Sequence, residues 1–255
     1  ENSDKKFFSW VHFYDPHLPY DPPSPYKEDF AASPYDGEIA YMDFHVGRII
    51  EKLREKNILN RTLIVVAGDH GEALGEKQEV DHGIFIYDVT MKVPFIVYAE
   101  QNISQGEVIN ARVRLTDLMP TVLDIVNLPS NREIQGISLV PYIEGTKSGD
   151  LVCYLETYFP LEDYGWSPLV GLVNQGWKYI EAPRAELYHL TEDQGEEKNL
   201  IGAEPKVLSS LRGKLKEVIE TSSSEGSAPR RKMTLQEEEK LRALGYVGGK
   251  SSGDL

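Results

Sequence analysis

Asp69 and His70 stand in Gly68-Asp69-His70-Gly71-Glu72, directly behind the apolar run Thr62-Leu63-Ile64-Val65-Val66-Ala67. A carboxylate beside an imidazole can hold a divalent cation through one oxygen and one nitrogen. The flanking glycines permit tight turns and close approach of backbone to a bound group. The same pentapeptide also reads as an Asx-type turn with an exposed histidine. His82 follows in Val80-Asp81-His82-Gly83, and His17 stands upstream in Asp15-Pro16-His17-Leu18-Pro19. Imidazole titrates near neutrality. Either histidine can therefore deliver a proton or, when charged, face a developing negative charge.

Such groups act together only if the fold gathers them. An unbroken apolar run is the pattern of a strand buried on both faces, so 62–67 predicts a strand of a parallel sheet. Ligands of open α/β sheets sit beyond the carboxyl ends of such strands, which is where Asp69 and His70 fall. Residues 93–99 and 7–13 read as further strands, the latter closed by prolines that cannot continue it. If these strands are parallel neighbours, one sheet edge collects His12, Asp15, His17, Asp69, His70 and His82. His12 lies inside its strand and reads as a core histidine.

Residues 38–57 form an amphipathic helix, with Ile39, Met42, Val46, Ile49, Ile50 and Leu53 on one face and His45 in a structural role. A strand is expected over 107–113. A second helix over 115–126 is opened by Thr116 and Asp117. This alternation indicates an α/β domain. Beyond residue 150 the elements shorten, to strands over 151–158, 169–175, 177–181 and 186–190. Asn174-Gln175-Gly176 between two of them signals a hairpin. A helix follows over 205–221. The expected division is 1–148 as an α/β domain, 149–222 as a small α+β subdomain, and 223–255 as linker and tail.

The net charge is −14. That argues against a nucleic-acid surface, which needs clustered Lys and Arg. It leaves an anionic ligand open, because a bound cation reverses the local field. The single cysteine, Cys153, excludes an intramolecular disulfide and a thiolate zinc cluster. Its apolar context, Leu151-Val152-Cys153-Tyr154-Leu155, reads as a buried strand. No membrane span is expected.

Several segments, in order, resemble the sulfatase family of the alkaline-phosphatase superfamily. They are His17-Leu18-Pro19, Gly68-Asp69-His70-Gly71-Glu72-Ala73-Leu74-Gly75-Glu76, His82-Gly83 and Tyr87-Asp88 leading to Val93-Pro94. Leu115-Thr116-Asp117, Gly136-Ile137-Ser138-Leu139 and Glu186-Leu187-Tyr188-His189-Leu190 continue the likeness. It spans residues 7–201 and corresponds to the C-terminal portion of such an enzyme. The resemblance implies an alkaline-phosphatase-like mixed or parallel sheet flanked by helices, incomplete here, followed by a small antiparallel sheet with a packed helix. It implies a sulfuric ester hydrolase acting on a small-molecule or carbohydrate sulfate. A phosphodiesterase or phosphonate monoester hydrolase, or a non-catalytic fragment, are the alternatives.

By the same resemblance, Asp69 and His70 are metal ligands. The metal is expected to be calcium, with manganese or zinc as alternatives. His82 contacts the ester oxyanion, and His17 helps protonate the leaving alcohol. The family's formylglycine nucleophile forms in a Cys/Ser-x-Pro-x-Arg segment of an amino-terminal half. Cys153 lacks the following Pro and Arg, so that segment is expected to be missing and the chain alone inactive. The missing half is expected as the partner that completes the site. The resemblance alone points to a periplasmic or secreted protein. Lys77 and Glu76 lie on the same loop within reach of a ligand, and Tyr87 and Asp88 read as structural.

Overall fold

The computed structural model describes residues 5–101, 103, 106–130 and 134–224. Their contacts divide them into two units, 49–221 and the described residues before 49 together with 222–224. The reading of 223–255 as linker and tail falls almost wholly outside the described residues.

In the first segment α1 spans Tyr26–Asp29 and α2 spans Pro34–Glu55. The second helix starts earlier than its apolar period predicts, because Pro34 costs nothing in a first turn, where its missing N–H has no partner to lose. Met42, Val46, Ile50 and Leu53 are half-buried, whereas Ile39 and Ile49 are exposed. Residues 7–13 are not a strand, contrary to expectation. No described residue pairs with them, and Phe7, Phe8, Trp10 and Val11 are exposed. An extended segment without a ladder neighbour leaves its backbone groups to water. Glu38 organises the loop before α2: its carboxylate accepts the amides of His17 (3.0 Å) and Asp21 (2.7 Å).

In 49–221, β1 (Ile64–Ala67) pairs with β2 (Phe95–Tyr98), joined through α3 (Asp88–Met91). The pairing is antiparallel, Val65 opposite Val97, where a parallel neighbour was expected. Ala67 and Ile96 are exposed, so the pair is not covered on both faces. An apolar run reports affinity for an interior, not strand direction. The stretch 107–113 is likewise not a strand; it is tied at Arg112, whose carbonyl accepts from Leu151 N–H (2.9 Å) and whose amide donates to Asp150 Oδ1 (2.9 Å).

A 3₁₀ turn, Leu115–Asp117, leads into α4 (Leu118–Ile125). The fully buried Asp117 caps this start by accepting from Arg114 N (2.9 Å) and Ile137 N (2.9 Å). After α5 (Val140–Ile143) comes a four-stranded meander: β3 (Cys153–Thr157), β4 (Leu169–Asn174), β5 (Trp177–Glu181) and β6 (Glu186–His189). α6 (Phe159–Tyr164) lies between β3 and β4, and α7 (Pro205–Ser224) closes the described chain. The β4–β5 turn places Gln175 at φ 51° and Gly176 at φ 76°, with Asn174 opposite Trp177. This two-residue turn matches the right-handed twist of the strands it joins.

Alternate residues of the meander serve two cores. Leu172, Tyr179 and Leu187 meet Leu211 and Leu215 of α7. Val173, Ile180 and Tyr188 on the other face meet Ile86, with Tyr87 and Met91 packed alongside. A side chain at Gly171 would lie 2.9 Å from Ile86 Cδ1, so glycine there makes room for that contact. The meander thus forms the bed on which the segment carrying His82 rests.

Candidate active site

Beyond β1 the chain turns at Gly68, whose amide donates to the Pro94 carbonyl across the strand pair, 3.2 Å. Three residues on, the Gly71 amide donates to the Thr90 carbonyl of α3, 2.7 Å. A Cβ at Gly71 would fall 2.3 Å from the Val89 carbonyl oxygen, so only glycine fits. Asp69 and His70 are held between these two anchors. The loop then runs out and returns, with Ala73 N–H to Asp81 O (3.0 Å) and Gly75 N–H to Glu79 O (2.9 Å). Inside the return, the buried Glu79 carboxylate accepts from Ile84 N, 2.8 Å, and burial raises its proton affinity above the usual value. Asp81 and His82 are thereby brought back beside Glu72.

The rings of His70 and His82 stack, with centroids 3.8 Å apart and planes 28° from parallel. His70 Nδ1 lies 2.9 Å from the Gly71 carbonyl, a contact that requires Nδ1 to carry the proton. In the neutral ring Nε2 then keeps the lone pair, and it lies 3.8 Å from Asp69 Oδ1. A histidine whose second nitrogen donates to a carbonyl, and whose lone pair shares a space with a carboxylate, fits a divalent cation. His82 Nδ1 lies 3.4 Å from Glu72 Oε1 and 2.8 Å from Asp81 Oδ1. Among the described residues Glu72, Asp81 and His82 also form a group with ligand atoms within 4.8 Å of one another. The Glu72 contact and the nearby Asp81 carboxylate place negative charge beside one nitrogen of the imidazole and favour its protonated form.

Asp69, His70 and His82 therefore come together at the end of β1. His17 belongs to the other unit. Its Nδ1 lies 2.7 Å from the Leu18 carbonyl, and its ring lies 4.6 Å from that of Tyr14.

Lys77 is tied down rather than turned to a ligand. Its ammonium donates to the Glu196 carbonyl, 2.5 Å, and lies over the rings of Tyr87 and Tyr188 at 5.3 and 5.9 Å. Lys178, wholly buried in β5, bridges Asp88 (2.9 Å) and Glu196 (2.9 Å), and Arg112 reaches Asp88 at 3.2 Å. Glu196 also accepts the Asp88 amide at 2.6 Å. Burial pushes both carboxyls up. At Asp88 the two cations outweigh it and hold the group below the usual carboxylate range, whereas Glu196 stays above it. Lys178 escaped the sequence reading, although a lysine between Trp177 and Tyr179 in an otherwise apolar strand was its signal. Cys153 is buried in β3, as its context predicted.

One sequence expectation needs correction. The bare Ser-x-Pro-x-Arg pattern does occur, at Ser227-Ala228-Pro229-Arg230-Arg231. It lies outside the described residues and after the last segment that resembles the family. Three fixed positions carry little information on their own.

Comparison with known proteins gives the family context. A sequence profile described as Sulfatase matches residues 1–128. A second, described as N-sulphoglucosamine sulphohydrolase, C-terminal, matches residues 75–224. Both end before Ser227. An arylsulfatase of Clostridium perfringens is 28% identical over 187 residues, covering 56% of this chain and 39% of its own length. A solved structure of a protein in complex with its substrate, D-glucosamine-2-N,6-O-disulfate, superposes with a TM-score of 0.66 at 24% identity. It covers 77% of this chain and 42% of that one. The phosphonate monoester hydrolase of Silicibacter pomeroyi superposes with a TM-score of 0.61 at 27% identity, covering 74% and 40%. The chain thus spans well under half of each of these relatives, and the superpositions carry the alkaline-phosphatase-like fold.

Proposed function

Since the chain belongs to the sulfatase family, we propose that it supplies one wall of the active site of a sulfuric ester hydrolase acting on a small-molecule or carbohydrate sulfate. The observation that carries this reading is the stacked pair His70–His82 beside Asp69 at the end of β1. Asp69 and His70 would hold a divalent metal. Calcium is the first choice from the carboxylate, with manganese or zinc admitted by the imidazole. When bound, that metal supplies positive charge opposite the sulfate oxygens.

His82, oriented by Glu72 and Asp81, donates to the ester oxyanion as negative charge grows there. His17 donates a proton to the leaving alcohol oxygen, a role that rests on the family resemblance. The nucleophile, a formylglycine in this reading, comes from a segment outside this chain. The partner in catalysis is the remainder of the catalytic domain. Without it the chain binds but does not turn over substrate. Export to the periplasm or beyond the cell follows from the same resemblance. The likeness to a phosphonate monoester hydrolase keeps a phosphonate or phosphodiester substrate as the second reading.

The test is calcium-dependent hydrolysis of 4-nitrophenyl sulfate by the full-length protein. Asp69→Ala is expected to lower kcat/KM by about a hundredfold or more. Undiminished turnover removes Asp69 from the metal site. Faster turnover of a phenyl phosphonate than of the sulfate moves the protein to the second reading.

A further inference from the structure

β3 ends beside His82. The Thr157 hydroxyl donates to the Gly83 carbonyl, and the ring of Phe159, two residues on, lies 3.7 Å from where a side chain on Gly83 would begin. From Phe159 two further aromatic rings follow in successive contact. Tyr164 meets Phe159 edge-on at 5.9 Å, and Trp166 lies against Tyr164 at 4.9 Å with planes 30° apart. All three are open to solvent, at 42, 53 and 57% exposure.

The row is built rather than accidental. Gly165 caps α6 at φ 68°, and the chain folds back so that Trp166 N–H reaches the Pro160 carbonyl, 2.9 Å. That left-handed turn is what returns the indole onto Tyr164. Exposed rings in successive contact, the first of them beside the loop that carries His82, have the character of a ligand platform.

Resting on the sulfatase reading above, we infer that Phe159, Tyr164 and Trp166 form a stacking platform for the sugar ring of a neutral hexose sulfate, and so determine specificity. A pyranose offers a flat face of C–H bonds that gains by leaving water for an aromatic face. Its hydroxyls need acceptors, and α6 provides exposed carboxylates at Glu162 and Asp163. Asp163 stands four residues after Phe159, on the same side of the helix. The same carboxylates repel a sulfate or a uronate. The ring therefore lies on the platform with its sulfate directed towards His82. A plain aryl group lacks hydroxyls and makes less use of this surface.

The test measures binding by calorimetry with the full chain, using glucose 6-sulfate, 4-nitrophenyl sulfate and inorganic sulfate as probes. Tyr164→Ala and Trp166→Ala are each expected to weaken glucose 6-sulfate binding about three- to tenfold and leave inorganic sulfate unchanged. Trp166→Phe should retain most of the affinity. Unchanged thermal melting of these exposed-site variants separates a contact from a folding defect.

Glucose 6-sulfate affinity that survives both alanine variants but falls in His82→Ala overturns the platform and leaves the sulfatase reading standing. Losses confined to 4-nitrophenyl sulfate overturn the assignment to a sugar. A dimer that Trp166→Ala converts to monomer assigns the rings to a second copy and overturns it as well. Affinity for every probe indifferent to His82→Ala, or no binding at all, removes the sulfatase reading and the platform with it.

Discussion

His82 and Cys153 show how surroundings decide what a side chain can do. His82 lies near two carboxylates and against a second imidazole, with its ring partly open, surroundings that favour its charged form. Cys153 lies in β3 with its thiol pushed up to about 11, chiefly by burial. The reactive form of cysteine is the thiolate, so Cys153 is chemically quiet at neutral pH. Iodoacetamide at pH 8 is expected to alkylate it roughly a hundredfold more slowly in the folded chain than in urea. Equal rates would mean that β3 is not formed. Asp69 and His70 were visible in the sequence because their place after an apolar run implies a strand end. The gathering of His82 with them was expected from parallel neighbouring strands, whereas it depends on a loop whose return is set by backbone bonds 73–81 and 75–79.

At the scale of elements, the site loop and the meander are fastened by charge. Lys178→Met leaves Asp88 and Glu196 facing each other without their shared cation and is expected to cost about 3–5 kcal/mol in urea unfolding at pH 7. The sign with pH follows from the two carboxyls. Asp88, held low, adds stability above its unfolded value near 3.9 and loses it as pH falls through its lower folded value. Glu196, held high by burial, works against stability at neutral pH and is relieved as it takes a proton. The deficit of the variant should therefore shrink below about pH 4, where neither carboxyl needs a cation. A deficit independent of pH would mean that Lys178 matters only for packing. The β4–β5 hairpin was legible because Gln175-Gly176 can take the left-handed backbone its turn demands. The antiparallel pairing of β1 with β2 was not legible, because Val, Ile and Leu serve either direction. The absence of strands at 7–13 and 107–113 has one cause: propensity forms a strand only where a neighbour offers a ladder.

For the whole molecule, two features oppose each other. The net charge of −14 repels copies of the chain, while Phe8, Trp10, Val108 and Ile96 expose apolar surface at 84, 81, 80 and 57%. Salt screens the first and not the second. Sedimentation is expected to find self-association that grows between 20 mM and 500 mM NaCl; a sharp monomer at both would show that these surfaces do not attract. Glu196 carries the last consequence. Its carbonyl takes Lys77, its carboxylate takes Lys178 and the Asp88 amide, and its own backbone sits at φ 54°. A chimera that grafts a relative's C-terminal sheet onto the segment carrying β1 and β2 must therefore carry a matching residue at that point, or the grafted half will arrive folded and leave the histidine loop adrift.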